Sequence, residues 1–275
     1  MHHLENNSEI TVNNLVISYT DDGPVDAPAI IFIHGFPLNK TMWCKQLVAL
    51  KDNFRVITYD IRGHGESDAG NDAFSIDLFV NDLISFMDSL KISKVSLCGL
   101  SMGGYIALNA FESYPERFVA LVLSDTQCTL DSPEAKEKRI KAIDSIMNNG
   151  VSNYADESVK NLFAPESFTT KVHEITSVRE MIVNISELAL CSTLLALSSR
   201  QETCSKLHLI NVPVLILVGE EDKITPQAAA EIMHENIKDS FLHIIDHAGH
   251  LSCLENPDTF NYHLNSFLNT IYKIH

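Results

Sequence analysis

An apolar stretch that runs straight into Gly-x-Ser-x-Gly, and from there into a helical pattern, restricts the fold more than any other feature of this chain. The segment is Lys94-Val95-Ser96-Leu97-Cys98-Gly99-Leu100-Ser101-Met102-Gly103-Gly104, continued by Tyr105-Ile106-Ala107-Leu108-Asn109-Ala110-Phe111. Glycines on both sides of Ser101 let strand and helix approach closely, so the turn can lift the serine Oγ above the end of a sheet. The helix that follows aims its first unpaired N–H groups at whatever binds beside the serine. Set between an apolar strand and a helix, the pattern specifies a nucleophile elbow.

Such an elbow needs a sheet around it. Short apolar runs at 30–34, 55–59, 95–99, 119–123, 214–218 and 241–245 read as buried strands, and helix-length segments such as 77–90 and 226–236 lie between them. The stretch 9–19 alternates as an exposed antiparallel start does, turned by Asp21-Asp22-Gly23-Pro24. The expected class is therefore α/β, a mostly parallel sheet with helices on both faces. Ligands of such sheets collect beyond the C-terminal strand ends, where Ser101 sits.

The alternation breaks after Leu123-Ser124-Asp125-Thr126 and resumes at Asn211-Val212-Pro213. Ser132-Pro133-Glu134 makes a helix start, with Ser132 as N-cap and Pro133 in the first turn. Ile140, Ile143 and Met147 recur at helical spacing until Asn148-Asn149-Gly150 stops the run. Val172, Ile175, Ile182 and Val183 suggest a second helix and 188–197 a third. We expect a helical cap, 127–205, inserted into a core made of 1–126 and 206–275. Its apolar stripes, at Ile140, Ile143 and Met147 and at Leu188, Leu194 and Leu195, should roof the pocket and set substrate choice.

A length of 275 residues suits one large α/β domain or a domain with an insertion. Thirty-six acidic against 20 basic side chains, a net charge of −16, argue against nucleic acid or an anionic membrane as partner. No stretch approaches the ~20 apolar residues of a membrane span. The start Met1-His2-His3-Leu4-Glu5-Asn6-Asn7 lacks the charged and apolar regions of a secretory signal, so cytoplasmic residence is expected. Cys44, Cys98, Cys128, Cys191, Cys204 and Cys253 are scattered without a Cys-x-x-Cys pair, which suits buried thiols in a reducing compartment.

A serine nucleophile needs a base, and the base needs a group to orient it. Around an elbow of this kind the chain order is Ser, acid, His. Strand 214–218 is followed by Gly219-Glu220-Glu221-Asp222-Lys223-Ile224-Thr225-Pro226, and strand 241–245 by Asp246-His247-Ala248-Gly249-His250-Leu251. His250 is favoured as base because Gly249 lets the backbone turn it over the sheet. His247 is an exposed loop residue, His243 alternates within a strand, and His34 fixes a loop. Chemistry alone does not separate Glu220, Glu221 and Asp222. Asp222 is favoured because Thr225-Pro226 opens the next helix and leaves it at the bend; Asp125 is the alternative. The His247-x-x-His250 spacing lacks a third metal ligand. An oxyanion hole would draw on the Met102 N–H and on His34-Gly35-Phe36-Pro37, where Pro37 has no N–H, Phe36 is first choice and Gly35 the reserve. The glycine-rich 60–67 turn lacks the Gly-x-x-x-x-Gly-Lys pattern of a phosphate loop and reads as a structural crossover.

His34-Gly35-Phe36-Pro37, Asp60-Ile61-Arg62-Gly63-His64-Gly65-Glu66-Ser67, Gly99-Leu100-Ser101-Met102-Gly103-Gly104, Gly219-Glu220-Glu221-Asp222 and His247-Ala248-Gly249-His250 together resemble the α/β-hydrolase superfamily. Within it the chain is similar to the small capped serine esterases grouped with 3-oxoadipate enol-lactonase and pimeloyl-carrier-protein methyl ester esterase. The resemblance implies Ser101, Asp222 and His250 as triad, the Phe36 and Met102 N–H groups as oxyanion hole, and no metal or organic cofactor. A serine at the elbow departs from the haloalkane dehalogenase and epoxide hydrolase branches, where an aspartate attacks. The expected activity is hydrolysis of a small-molecule ester or lactone. Carbon–carbon bond hydrolysis of a diketone, perhydrolysis and non-enzymatic ligand binding remain alternatives on the same fold.

Overall fold

Continuous apolar strands are stable where helices cover both sides of a sheet, and the two faces here are built that way. The computed structural model describes residues 7–274. Its strands are β1 (Asn7–Val12), β2 (Leu15–Asp22), β3 (Ala29–Ile33), β4 (Arg55–Tyr59), β5 (Val95–Leu100), β6 (Phe118–Ser124), β7 (Val214–Gly219) and β8 (Ser240–Ile245). They form one sheet in the order β1-β2-β4-β3-β5-β6-β7-β8. The β1–β2 and β2–β4 pairings are antiparallel and the others parallel. The helices are α1 (Cys44–Leu50), α2 (Ile76–Ser89), α3 (Met102–Ser113), α4 (Pro133–Leu162), α5 (Ser167–Thr170), α6 (Val172–Val183), α7 (Glu187–Ser199), α8 (Gln227–Asn236), α9 (Ser252–Glu255) and α10 (Pro257–Tyr272).

Because side chains alternate along a strand, β3 sends Ile31 and Ile33 to one face and Ile30 and Phe32 to the other. The first face packs Phe79 and Leu83 of α2, Ile106 of α3 and Met233 of α8. The second packs Trp43, Leu47 of α1 and Phe260 and Leu264 of α10. Strands β5 and β7, each flanked by a strand on both sides, are buried throughout.

The stretch 9–19 is not one strand. Asn13 (φ 50°) and Asn14 (φ 63°) turn it into a hairpin that brings Val12 opposite Leu15. Asparagine tolerates this left-handed conformation better than most residues, and such two-residue turns match the twist of paired strands.

Helices α4 to α7 lie between β6 and β7 and form a helical cap. Gly150 (φ 80°, ψ 166°) breaks α4 as the sequence suggests, but the helix resumes beyond it and runs to Leu162. That second half supplies buried Ala155, Val159 and Leu162 and was not foreseen. The buried face of the cap is also offset from the expected stripes. Ile140, Met147, Leu188 and Leu195 are exposed, whereas Ile146, Ala189, Leu190 and Leu194 form a small cluster against Phe36, Phe74 and the partly buried Ile143. Apolar spacing marks that a helix has a buried face, but the packing partners choose which residues occupy it.

The neck of the cap is tied twice. Arg200 pairs with Asp131 at 2.5 Å and lays its guanidinium 4.3 Å from the centre of the Tyr105 ring. Cys128 and Cys204 are joined by a disulfide, so two of the six cysteines are not the thiols expected above. Their separation of 76 residues gave no local signal of pairing, since the fold alone brings both ends of the insertion together. Disulfides persist in oxidising compartments, so the cysteines lend no support to cytoplasmic residence. Among the described residues no single helix is long and apolar enough to cross a membrane.

Candidate active site

The elbow is as tight as its glycines suggest. A Cβ on Gly99 would stand 2.2 Å from the Gly103 carbonyl oxygen, and one on Gly103 would stand 2.3 Å from that of Ile33. Between them Ser101 takes φ 54° and ψ −113°, a strained backbone for a side chain with a Cβ. The conformation is held from three sides. The Ser101 N–H donates to Ser124 O (3.0 Å), while its carbonyl accepts from Thr126 Oγ1 (2.8 Å) and from the Gly104 N–H (2.9 Å). Ser101 thus follows β5 and precedes α3, and its residue is 8% exposed. Strain that neighbours over-determine in this way points to a function for the position.

The next two parallel strands after β6 bring in the candidate acid and base. A Cβ on Gly219, at the end of β7, would lie 1.9 Å from the Gly249 carbonyl oxygen, so only glycine lets the two loops come this close. Asp222 Oδ1 accepts from the Ile224 and Thr225 N–H groups (2.8 and 3.0 Å), and Oδ2 accepts from Thr225 Oγ1 at 2.7 Å. Oδ2 also accepts from His250 Nδ1 at 2.8 Å. Burial works against the Asp222 charge, but His250 and the Thr225 donors outweigh it and hold its carboxyl below the usual range. Burial likewise disfavours the His250 cation, yet the Asp222 charge, with Asp125 and Glu255 behind it, raises the imidazole above its ordinary value. Nδ1 carries the proton in this arrangement, which leaves Nε2 with a free lone pair. Among the described residues Ser101 Oγ has no hydrogen-bond partner.

Of the acids the sequence left open, Asp222 is the one in contact with His250. Glu220 and Glu221 stand exposed on the same turn. Asp125 is buried at the end of β6, where it accepts from Ser124 Oγ (2.8 Å), Ser252 Oγ (2.5 Å) and the Gly219 N–H (2.8 Å). Burial, then the nearby Asp222 charge, pushes its carboxyl up to about 7. Thr225, whose hydroxyl lies 3.3 Å from His250 Nδ1 as well as on Asp222, was not singled out from the sequence as part of the site. Its place two residues before the helix α8 is the signal that could have found it.

The loop after β3 crosses the elbow: a Cβ on Gly35 would stand 3.3 Å from Ser101 Cβ. Phe36 follows it, half-buried beneath the cap cluster and 6.5 Å, ring to ring, from Tyr154. His34 is fully buried and links two loops, with Nδ1 donating to Gly35 O (2.9 Å) and Nε2 accepting from the Ile61 N–H (3.0 Å). Burial and the neighbouring His64 keep it neutral, well below the ordinary imidazole range. His64 is similarly pushed down by burial to about 4. In the 60–67 turn Asp60 accepts from Lys40 Nζ (2.7 Å), the Lys40 N–H (2.7 Å) and the Glu66 N–H (3.0 Å), a buried structural knot. His247 is exposed and faces Glu166 of the cap at 2.9 Å. Among the described residues no group of three or more His, Cys, Asp or Glu side chains could hold a metal ion.

A strained serine and a hydrogen-bonded Asp–His pair, both following parallel strands of one sheet, are the parts needed to attack an electrophilic carbonyl, and known proteins of similar sequence and shape bear on that reading. 3-Oxoadipate enol-lactonase 2 of Acinetobacter baylyi is 28% identical over 253 residues, covering 92% of this chain and 93% of its own. A thermophilic esterase from Thermogutta terrifontis superposes with a TM-score of 0.91 at 31% identity, over 97% of this chain and 99% of that one. The enol-lactonase of Burkholderia xenovorans gives a TM-score of 0.89 at 26% identity, over 95% and 100% of the two chains. The profile of the alpha/beta hydrolase fold family matches residues 28–257, and with the sheet order and the elbow described above the chain belongs to that family.

Proposed function

We propose that this protein hydrolyses small carboxylic esters or lactones through an acyl-enzyme on Ser101. The observation that carries the reading is the buried 2.8 Å contact of His250 Nδ1 with Asp222, set on the sheet edge that also presents strained Ser101. His250 Nε2 takes the Ser101 proton as Oγ attacks the substrate carbonyl, and Asp222 keeps the imidazole in the tautomer that can accept it. The Met102 N–H, at the start of α3, and the Phe36 N–H receive the oxyanion. His250 then protonates the leaving oxygen and activates the water that clears the acyl group. For a lactone the leaving oxygen stays tethered to the acyl chain and departs on deacylation.

Enol-lactonases and esterases among the relatives support this substrate class. The half-buried Phe36 packs with Tyr154 and Ile143 of α4 around the cap's apolar cluster, which supports short or medium uncharged acyl groups as substrates. No metal or organic cofactor takes part in the proposed steps, and the partner is a small molecule rather than nucleic acid or membrane, in keeping with the net charge of −16. A fluorophosphonate probe tests the assignment. It should label Ser101 and no other serine, and Ser101→Ala should lose turnover on the order of 10⁶-fold, the scale set by nucleophile removal in a serine protease. A panel of esters, lactones and thioesters of graded acyl length then ranks the substrates. Retention of more than about a tenth of the activity in a folded Ser101→Ala protein would remove Ser101 from the mechanism.

A further inference from the structure

One buried carboxylate beside the site has no part in the steps above. Glu255, the last residue of α9, is 2% exposed and accepts hydrogen bonds from two different parts of the chain. Its Oε1 takes the Gly249 N–H at 2.8 Å. Its Oε2 takes the Ala164 N–H at 2.7 Å and Ser167 Oγ at 2.6 Å. Gly249 is the residue before His250, whereas Ala164 and Ser167 follow the long helix α4 of the cap. His250 itself donates its N–H to Leu162 O at 3.0 Å, in that same cap segment. The two backbones are pressed together: a Cβ on Gly249 would stand 2.7 Å from Ala164 N and 2.9 Å from Phe163 C.

We propose that Glu255 is a positioning residue for the base, clamping the His250 loop to the 162–167 segment so that the seating of the cap sets where the imidazole stands. A carboxylate suits this task because the groups aimed at it, the Leu251 N–H among them, are all donors, and an ionised carboxyl offers only acceptors. Fixing the backbone at Gly249 and at His250 N leaves the ring to be oriented by Asp222, with the Thr225 hydroxyl beside it. The cap therefore does more than choose substrates: its α4 end is part of the scaffold on which the base is mounted. The titratable groups facing His250 are Asp222, Asp125 and Glu255, all acidic, so loss of the Glu255 charge lowers the imidazole's affinity for a proton.

The proposal rests on His250 being the base, and the test separates the two. Glu255→Gln has one acceptor oxygen for two backbone N–H groups, so its NH₂ faces either the Gly249 or the Ala164 N–H and one side of the clamp opens. We expect kcat/KM to fall roughly 10- to 100-fold, the scale of a misplaced reacting group. Fluorophosphonate labelling of Ser101 should slow in proportion, and the acid limb of the kcat/KM profile should move to lower pH. Ser167→Ala removes one cap-side donor and leaves the charge, so labelling should slow by a smaller factor with the acid limb in place. If Glu255→Gln lowers the melting temperature while labelling rate and acid limb stay as in the wild type, Glu255 is only structural and the proposal is wrong. Should Glu255→Gln fail to fold, Ser167→Ala decides, and an unchanged labelling rate there overturns the clamp. Ser101→Ala is run in parallel; persistent labelling or turnover in that variant sinks the assignment of Ser101, a result independent of Glu255.

Discussion

Asp222→Asn is the substitution that most directly probes how the site works, because the structure dictates what the new amide must do. Asn Oδ1 can keep the Ile224 and Thr225 N–H bonds, at 2.8 and 3.0 Å, so the turn and the fold survive. The NH₂ then occupies the place of Oδ2, which accepts from Thr225 Oγ1 and His250 Nδ1. A donor there must meet an acceptor, so the imidazole shifts its proton from Nδ1 to Nε2. The Thr225 hydroxyl, 3.3 Å from Nδ1, is free to donate to it and reinforces the same tautomer. An Nε2–H cannot take the Ser101 proton. In a serine protease the same change costs about 10⁴ in kcat, or about 5 kcal/mol of transition-state stabilisation at 1.36 kcal/mol per tenfold. The charge matters as well. Asp222 is the strongest influence raising the His250 pKa, so its loss lets burial pull the imidazole down. A base must be neutral, so wild-type kcat/KM should rise as pH climbs through the raised His250 pKa, above the ordinary value of 6.5. The residual activity of Asp222→Asn should have its acid limb at lower pH. Hydrolysis of an activated ester across pH, with melting temperature as the control for folding, measures both effects. A loss under about 100-fold with an unmoved acid limb would refute the tautomer argument, as would a larger loss in Asp125→Asn than in Asp222→Asn.

Four other outcomes follow from groups around the site and at the neck of the cap. Ser101→Gly should be more stable than Ser101→Ala by about 1 kcal/mol, because glycine relieves φ 54°, ψ −113° and alanine does not; equal thermal midpoints would mean that the elbow stores no strain. Removing the Cys128–Cys204 bond, which spans 76 residues, should cost about 2–4 kcal/mol, read as a reductant-dependent melting temperature in the wild type that Cys128→Ser does not show. Thiol titration of the unfolded, unreduced protein should count four free cysteines and not six. Asp125 has its folded-state pKa raised from 3.8 to about 7, so the folded protein holds that proton more tightly than the unfolded chain. Its contribution is thus fully present below the unfolded pKa and is lost as pH rises toward 7. The melting temperature of Asp125→Asn should fall less than that of the wild type between about pH 4 and 8, and parallel curves would contradict the buried charge.

The residues that were legible in the chain are those whose roles depend on near neighbours. Gly99, Gly103 and the helical run after Ser101 define the elbow within a dozen positions, and each apolar strand announces itself by its own run. The loops that end β7 and β8 could be placed on the edge that holds Ser101 because parallel strands share one polarity, a rule of topology that needs no coordinates. What the chain could not express is contact between distant segments. Glu220, Glu221, Asp222 and Asp125 are chemically alike, and the meeting of Asp222 with His250 is decided by where two loops touch across Gly219 and Gly249. The same holds for the resumption of α4 beyond Gly150, where burial against the core sustains a helix of weak pattern. It also holds for the offset of the cap's buried face, which its packing partners select. The Cys128–Cys204 bond and the grip of Glu255 on Ala164, 91 residues away, are of this kind too. Local spacing sets conformation through bonds and sterics a few residues long, whereas pairing, burial and orientation of charged groups depend on a surface that exists only once the chain has closed on itself.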